Sequence, residues 1–349
     1  MELLAQLTQI PSVPGREHRI REFILKYISE RSLFDEVSVD AMGSIIAIRR
    51  ARPASGTSAA KPVKVMLAAH MDQIGFLVRH IDDCGFVRVN PVGGFDTRNL
   101  FARTVRICTA DGDLPGVMNP GGRPIHIATD DEKKKVPQIG DFFIDTGLSA
   151  EEVRKKVRIG DMVVLDGPFR DVGDYVVSQC LDNRVGCWAQ LRAIENLRHH
   201  NCDLAAVWTV QEEVGLRGAQ PAAFGVAPDI GVACDTTLCC QTPGVPEDDR
   251  VTVPGSGVAL HIMDSSMISD IGLIEEIEAV AKEQKIDCQR AILPRGGQDG
   301  AAIQRSGIGV RTVSFACPVK YIHTVTEMSH KNDLKSYPAL LTAWLETIS

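Results

Sequence analysis

The sequence predicts an α/β protein: a mostly parallel sheet in three layers, with helices on both faces, interrupted by a small all-β insertion. Three observations carry the prediction. Apolar strand-like runs alternate with amphipathic helical stretches on either side of a central segment. Between about residues 73 and 165 that rhythm gives way to short β-rich segments separated by Gly, Pro and Asp. The length of 349 residues exceeds what one ordinary core fills. The expected division is a sheet-and-helix unit from 1–72 and 166–349, with an inserted barrel-like unit at 73–165.

The elements follow in order. Residues 17–31 (EHRIREFILKYISER) place apolar residues at helical spacing after the breaker-rich PSVPG, which predicts a first helix. Short strands are expected near 36–39 and 44–49, then a Pro- and small-residue loop over 51–62. Val63 to Ala69 is an apolar run, broken only by Lys64, that ends directly on His70, the pattern of a strand buried on both faces. In the insertion, strands are expected near 75–80, 85–90, 104–109, 142–145 and 161–165, one helix over 150–157, and a solvated loop at 130–135 (DDEKKK). Beyond Asp182 come a helix (183–199), a strand (203–211), a strand (230–234), a helix (269–284), a strand (310–315) and a closing helix (331–347).

Composition narrows the function classes. With 44% hydrophobic and 24% charged residues the chain reads as an ordinary soluble protein. A net charge of -7 argues against a nucleic-acid partner. No apolar run reaches the roughly 20 residues that span a bilayer. The start lacks a basic region followed by a long apolar one, so a cytoplasmic, non-membrane protein is expected. The ten cysteines form no C-x-x-C pair and read as buried reduced thiols. Cys180, Cys187 and Cys234 lie close to candidate ligands, which keeps a thiolate ligand open as the lesser reading. The chain has no G-x-S-x-G elbow and no phosphate-binding loop.

Chemistry gathers at predicted strand ends, the edge of an α/β sheet where ligands bind. His70, the pair Glu212–Glu213 and Asp235 each follow an apolar run immediately. A lone histidine reads as a core residue, but Asp72 two positions on is placed to fix the tautomer of a metal-ligating His70. Asp182 opens a helix, where capping and metal bridging are equally open. Glu212 and Glu213 are adjacent and point to opposite sides of an extended chain, so one is able to ligate while the other serves as a base. A buried Asp235 needs a counter-charge, which a cation supplies. His323 carries little weight by itself. Together these residues supply two imidazoles and the carboxylates for a two-cation hydrolytic site.

The segments HMDQIGF, LDNRVG, EEVGLRGA, CDT, RGGQDGAA and YIHTVTE, in this order, resemble the motifs of the M42 metallo-aminopeptidases, from PSVPGRE near residue 11 to the last helix. The resemblance implies two divalent ions, Zn²⁺ or Co²⁺. Asp182 would bridge them, with His70 and Asp235 on one ion and Glu213 and His323 on the other. It implies Glu212 as the general base, with Asp72 in the catalytic set. It implies peptide substrates whose free N-terminus meets acidic groups. It further implies a PDZ-like insertion used in assembly, and dimers building into a dodecamer. Two departures stand out: Asn183 where the family often has Asp, and Gln298 where Thr is usual. Alternative readings are another two-metal hydrolase on this scaffold (an aminoacylase, carboxypeptidase or deacetylase), a glycosidase, or a non-catalytic assembly protein with a degenerate site.

Overall fold

The computed structural model describes residues 1–54 and 62–348. Residues 55–61 of the expected Pro-rich loop lie outside the described residues. The chain begins with α1 (Glu2–Thr8), α2 (His18–Glu30), β1 (Glu36–Val39), β2 (Ile45–Arg49) and β3 (Lys64–His70). Next come β4 (Gly75–Ile81), β5 (Val87–Val92), β6 (Arg103–Thr109), β7 (Gly112–Pro120), α3 (Asp130–Lys134), β8 (Phe142–Asp145), α4 (Ala150–Lys156) and β9 (Met162–Leu165). They are followed by β10 (Arg170–Val172), β11 (Tyr175–Ser178), α5 (Leu181–Asn196), β12 (Asp203–Thr209), α6 (Ala219–Val226) and β13 (Ile230–Leu238). The chain closes with β14 (Val258–Met263), α7 (Ile271–Gln284), β15 (Cys288–Ile292), α8 (Gly300–Gln304), β16 (Arg311–Val319), β17 (Glu327–His330) and α9 (Lys331–Leu345).

An eight-stranded sheet runs in the order β1-β2-β12-β3-β13-β16-β14-β15. Its centre, β12-β3-β13-β16, is parallel throughout. The two sides of β3 explain its continuous apolar run. Val65, Leu67 and Ala69 join the core beneath α1, α2, α5, α7 and α9, while Met66 and Ala68 pack against α6 and α8 on the other face. A strand covered on both faces has no polar side to show. Truncating a fully buried residue such as Leu67 to Ala would cost about 2–5 kcal/mol.

The stretch from Gly75 to Leu165 closes into a six-stranded antiparallel barrel, β4-β5-β8-β7-β6-β9. Its interior is Phe76, Val78, Val87, Val89, Val105, Ile107, Met118, Phe142 and Ile144. Closure leaves these short strands no free edge. A third small sheet, β10-β11-β17, lies in the other part of the chain.

Several local expectations are corrected. The segment expected as a loop at 130–135 forms α3, because Thr129 and Glu132 make a capping box and its charges run acidic to basic along the helix. Helices α1, α6 and α8 escape a periodicity reading. Pro221 and Gly225 interrupt the α6 pattern, and α8 (GAAIQ) is too short and small-sided to show a face. Strand β13 runs on to Leu238, so Asp235 lies within it rather than after it. Its pairing with β3 stops at Ala233, while that with β16 continues to Leu238.

Candidate metal centre

The end of β3 builds the floor of the site. His70 is its last residue, paired in register with Thr209 of β12. Because β13 outruns β3, Asp235 sits where, among the described residues, one edge of its strand has no neighbouring strand. Cys180, with a φ of 60°, turns the chain from β11 into α5, and the helical dihedrals are broken at Asp182 and Asn183. Asp182 therefore stands at the mouth of the helix with its own N–H taken by the Glu327 carboxylate at 2.9 Å. His323 lies in the turn between β16 and β17, also at positive φ.

All six of these candidates converge. His70 Nε2 is 3.4 Å from Asp182 Oδ1, 3.7 Å from Asp235 Oδ1 and 3.9 Å from Glu212 Oε2. His323 Nε2 is 3.5 Å from Asp182 Oδ2 and 3.4 Å from Glu213 Oε2. Asp182 thus turns one carboxylate oxygen to each imidazole. Two overlapping groups, His70–Asp182–Glu213 and His70–Glu212–Asp235, each keep their ligand atoms within 4.8 Å of one another. The cluster opens into a cavity of about 510 Å³, walled further by Leu216, Thr236, Thr237, Leu238, Leu293, Arg295, Gln298 and Ile322.

Asp72 is part of this structure by a different route from the one expected. His70 Nδ1 meets the backbone oxygen of Asp72 at 3.0 Å, while the Asp72 carboxylate is 3.7 Å from that nitrogen. The carboxylate instead accepts the backbone N–H groups of Glu212 and Glu213, both at 3.1 Å.

The electrostatics are those of crowded acids. Burial alone would lower the His70 pKa, but Glu212, Asp182 and Asp235 outweigh it and raise it well above the usual value. Burial likewise opposes His323, which Asp182 and Glu213 push up to about 10. The two imidazoles hold the Asp182 carboxyl well below its ordinary value against its own desolvation. Burial raises Glu213 to about 8, and raises Glu212 and Asp235 as well. Four carboxylates face two imidazoles, and among the described residues no Lys or Arg ion pair reaches them. Asp182 Oδ1 and Glu213 Oε1 are buried without hydrogen-bond partners among the described residues. Buried acids of this kind call for cations. The donor set fits divalent ions of the Zn²⁺ or Co²⁺ type.

The thiolate alternative is not supported by the structure. Cys180, Cys187 and Cys234 are buried and burial pushes each thiol up to about 12. No cysteine belongs to either potential metal group among the described residues. Both departures from the expected motifs face inward. Asn183 donates to the Cys234 carbonyl at 2.8 Å and accepts from Gly186 N–H at 2.9 Å. Gln298 donates to the Thr236 carbonyl at 2.7 Å and accepts from the Ser314 hydroxyl, so its amide ties loop to sheet.

Three further buried carboxylates surround the site without having been singled out: Glu17, Asp299 and Glu327. Glu17 accepts from Gln211 N–H at 3.1 Å, next to the Glu212–Glu213 pair. Asp299 accepts from the Thr209 hydroxyl at 2.5 Å. Each lies inside a segment the sequence marks (PSVPGRE, RGGQDGAA, YIHTVTE), but nothing in an isolated acid tells a buried backbone acceptor from a solvated charge.

The chain thus combines an α/β sheet carrying a His and carboxylate cluster at its carboxyl edge with a closed barrel, an architecture it shares with solved aminopeptidases. A sequence model described as M42 glutamyl aminopeptidase matches residues 51–340. The chain is 32% identical to the lysyl aminopeptidase of Pyrococcus furiosus, over 99% of this chain and 97% of that one. The aminopeptidase APDkam598 of the archaeon Desulfurococcus kamchatkensis superposes with a TM-score of 0.91 at 34% identity, covering 99% and 94% of the two chains. The TET1 peptidase of Pyrococcus horikoshii, which assembles into a tetrahedron or a large octahedral shell, superposes with a TM-score of 0.86 at 32% identity, covering 99% of each chain. The chain belongs to the M42 aminopeptidase family, a family of metal-dependent peptidases.

Proposed function

We propose that this protein is a two-metal aminopeptidase that removes N-terminal residues from peptides, with Glu212 as general base. The observation that carries the reading is the placement of Asp182 between His70 and His323, one oxygen toward each. Asp182 would be shared by two ions, with His70 and Asp235 completing one position and Glu213 and His323 the other. Ions so held would supply Lewis acidity to the attacking water and the scissile carbonyl.

The remaining work belongs to side chains. Burial, with Asp235 and Glu213 nearby, raises the Glu212 carboxyl against the opposing pull of His70, a direction that favours a group that accepts a proton. Glu212 takes the proton of the attacking water and returns it to the leaving amine. The free N-terminus of the substrate is a cation, and the acid-rich end of the cavity favours it. The apolar walls from Leu216, Leu238, Leu293 and Ile322 receive the N-terminal side chain and exclude water.

We further propose that residues 73–165 form the insertion used in assembly, with 1–72 and 166–349 forming the catalytic unit, and that the protein works in the cytoplasm. The shell-forming P. horikoshii relative and the solved PhTET1-12s dodecamer support a homo-oligomer, for which we propose dimers building into a dodecamer.

The test is chelation followed by readdition of Zn²⁺ or Co²⁺, assayed on a panel of aminoacyl nitroanilides. Hydrolysis should vanish with chelator, return with metal, and require a free α-amine. Cleavage of N-acetylated substrates instead would point to an aminoacylase or deacetylase. Activity untouched by chelator, on any substrate, would contradict the reading.

A further inference from the structure

Glu327 is 2% exposed and lies behind the site, at the start of β17. One of its oxygens accepts the backbone N–H of Asp182 at 2.9 Å, and the other accepts that of His323 at 2.8 Å. These two residues are 141 positions apart, yet one carboxylate spans both. Each segment holds a backbone that a side-chain-bearing residue rarely adopts: Cys180 at a φ of 60° just before Asp182, Tyr321 at 60° and His323 at 65°. Such conformations persist only where surroundings over-determine them. Around His323 the ring Nδ1 meets the Gly94 oxygen at 2.9 Å, and Glu327 takes the N–H.

We propose that Glu327 is a positioning residue that sets the spacing between the Asp182 carboxylate and the His323 imidazole, and thereby the affinity of the metal position they share with Glu213. The inference rests on the two-metal reading for what binds there, but its argument is the double acceptance itself. A carboxylate is the side chain that presents two acceptor oxygens and no donor. The isosteric amide keeps one acceptor and turns an NH₂ toward the second N–H. A shorter acid cannot reach both.

The test compares wild type with Glu327→Gln and Glu327→Asp as full-length protein. Each is stripped with chelator and titrated with Zn²⁺ by calorimetry, alongside far-UV circular dichroism. In both variants one equivalent should weaken by roughly tenfold or more, a typical loss for an outer-shell partner of a metal ligand. The other equivalent, which shares Asp182 but keeps His70 and Asp235, should weaken less, and the circular dichroism spectrum should be unchanged. Co²⁺ loaded at one equivalent should then give the wild-type absorption spectrum, with the difference appearing at the second. Variants that match wild type at both equivalents would overturn the proposal. So would equal weakening of both equivalents with loss of the native spectrum, since that marks a general structural role. A wild type that takes up a single ion would overturn the two-metal reading separately, while the Glu327 variants would still be judged by whether their uptake departs from wild type.

Discussion

Asp72 accepts the backbone N–H of Glu212 through one carboxylate oxygen at 3.1 Å, and the N–H of Glu213 through the other at the same distance. The turn that carries the proposed base is therefore held by an acid from the end of another strand. Glu17 takes the preceding N–H, that of Gln211, at 3.1 Å, where the backbone is again at positive φ. Three successive amides are pinned by two buried carboxylates, and the Glu212 side chain inherits its direction from them.

Asp72→Asn should leave the fold intact and lower kcat/KM by roughly 10- to 100-fold, the usual loss for an outer-shell partner of a metal site. The amide keeps one acceptor and opposes a donor to the other N–H. Steady-state kinetics beside metal analysis checks this. Wild-type kcat/KM would show that the clamp is dispensable.

Asn183→Asp should destabilise the protein by about 1–3 kcal/mol at neutral pH. Asn183 is fully buried and its NH₂ donates to the Cys234 carbonyl, so an ionised acid there would face another acceptor. Urea denaturation at pH 7 measures the loss, and an unchanged midpoint would contradict it.

His261 supplies a pH prediction away from the proposed metal ligands. Its imidazole is buried, both ring nitrogens lack hydrogen-bond partners among the described residues, and burial lowers its pKa from 6.5 to about 4. The unfolded chain binds the proton more readily, so this contribution is fully present above pH 6.5 and is lost as the pH falls toward 4. Wild type should lose up to about 3 kcal/mol more than His261→Leu across that window. Parallel stability curves for the two proteins would refute the assignment.

Much of this was legible because the parallel strands announce themselves. The run Val63–Ala69 is apolar on both faces but for Lys64, and the residue on which it ends, His70, is the one at the site. Positions that depend on side-chain direction were not legible. The spacing of His70 and Asp72 predicts a carboxylate–imidazole bond, but the backbone oxygen takes that place and frees the acid for Glu212 and Glu213. Asp235 looked terminal because only its run up to Cys234 is apolar, while pairing with β16 extends the strand beyond it. Glu327 could not be found, because its significance lies in two amides that are distant in sequence.

The assignment of roles rests most directly on Glu212→Gln. The variant should bind metal as wild type does, measured by elemental analysis after dialysis. Its kcat on an aminoacyl nitroanilide should fall by roughly 10²–10⁴, the share that a general base supplies. A variant that keeps both its metal and its rate would contradict Glu212 as the base. One that loses metal in step with activity would make Glu212 a ligand instead.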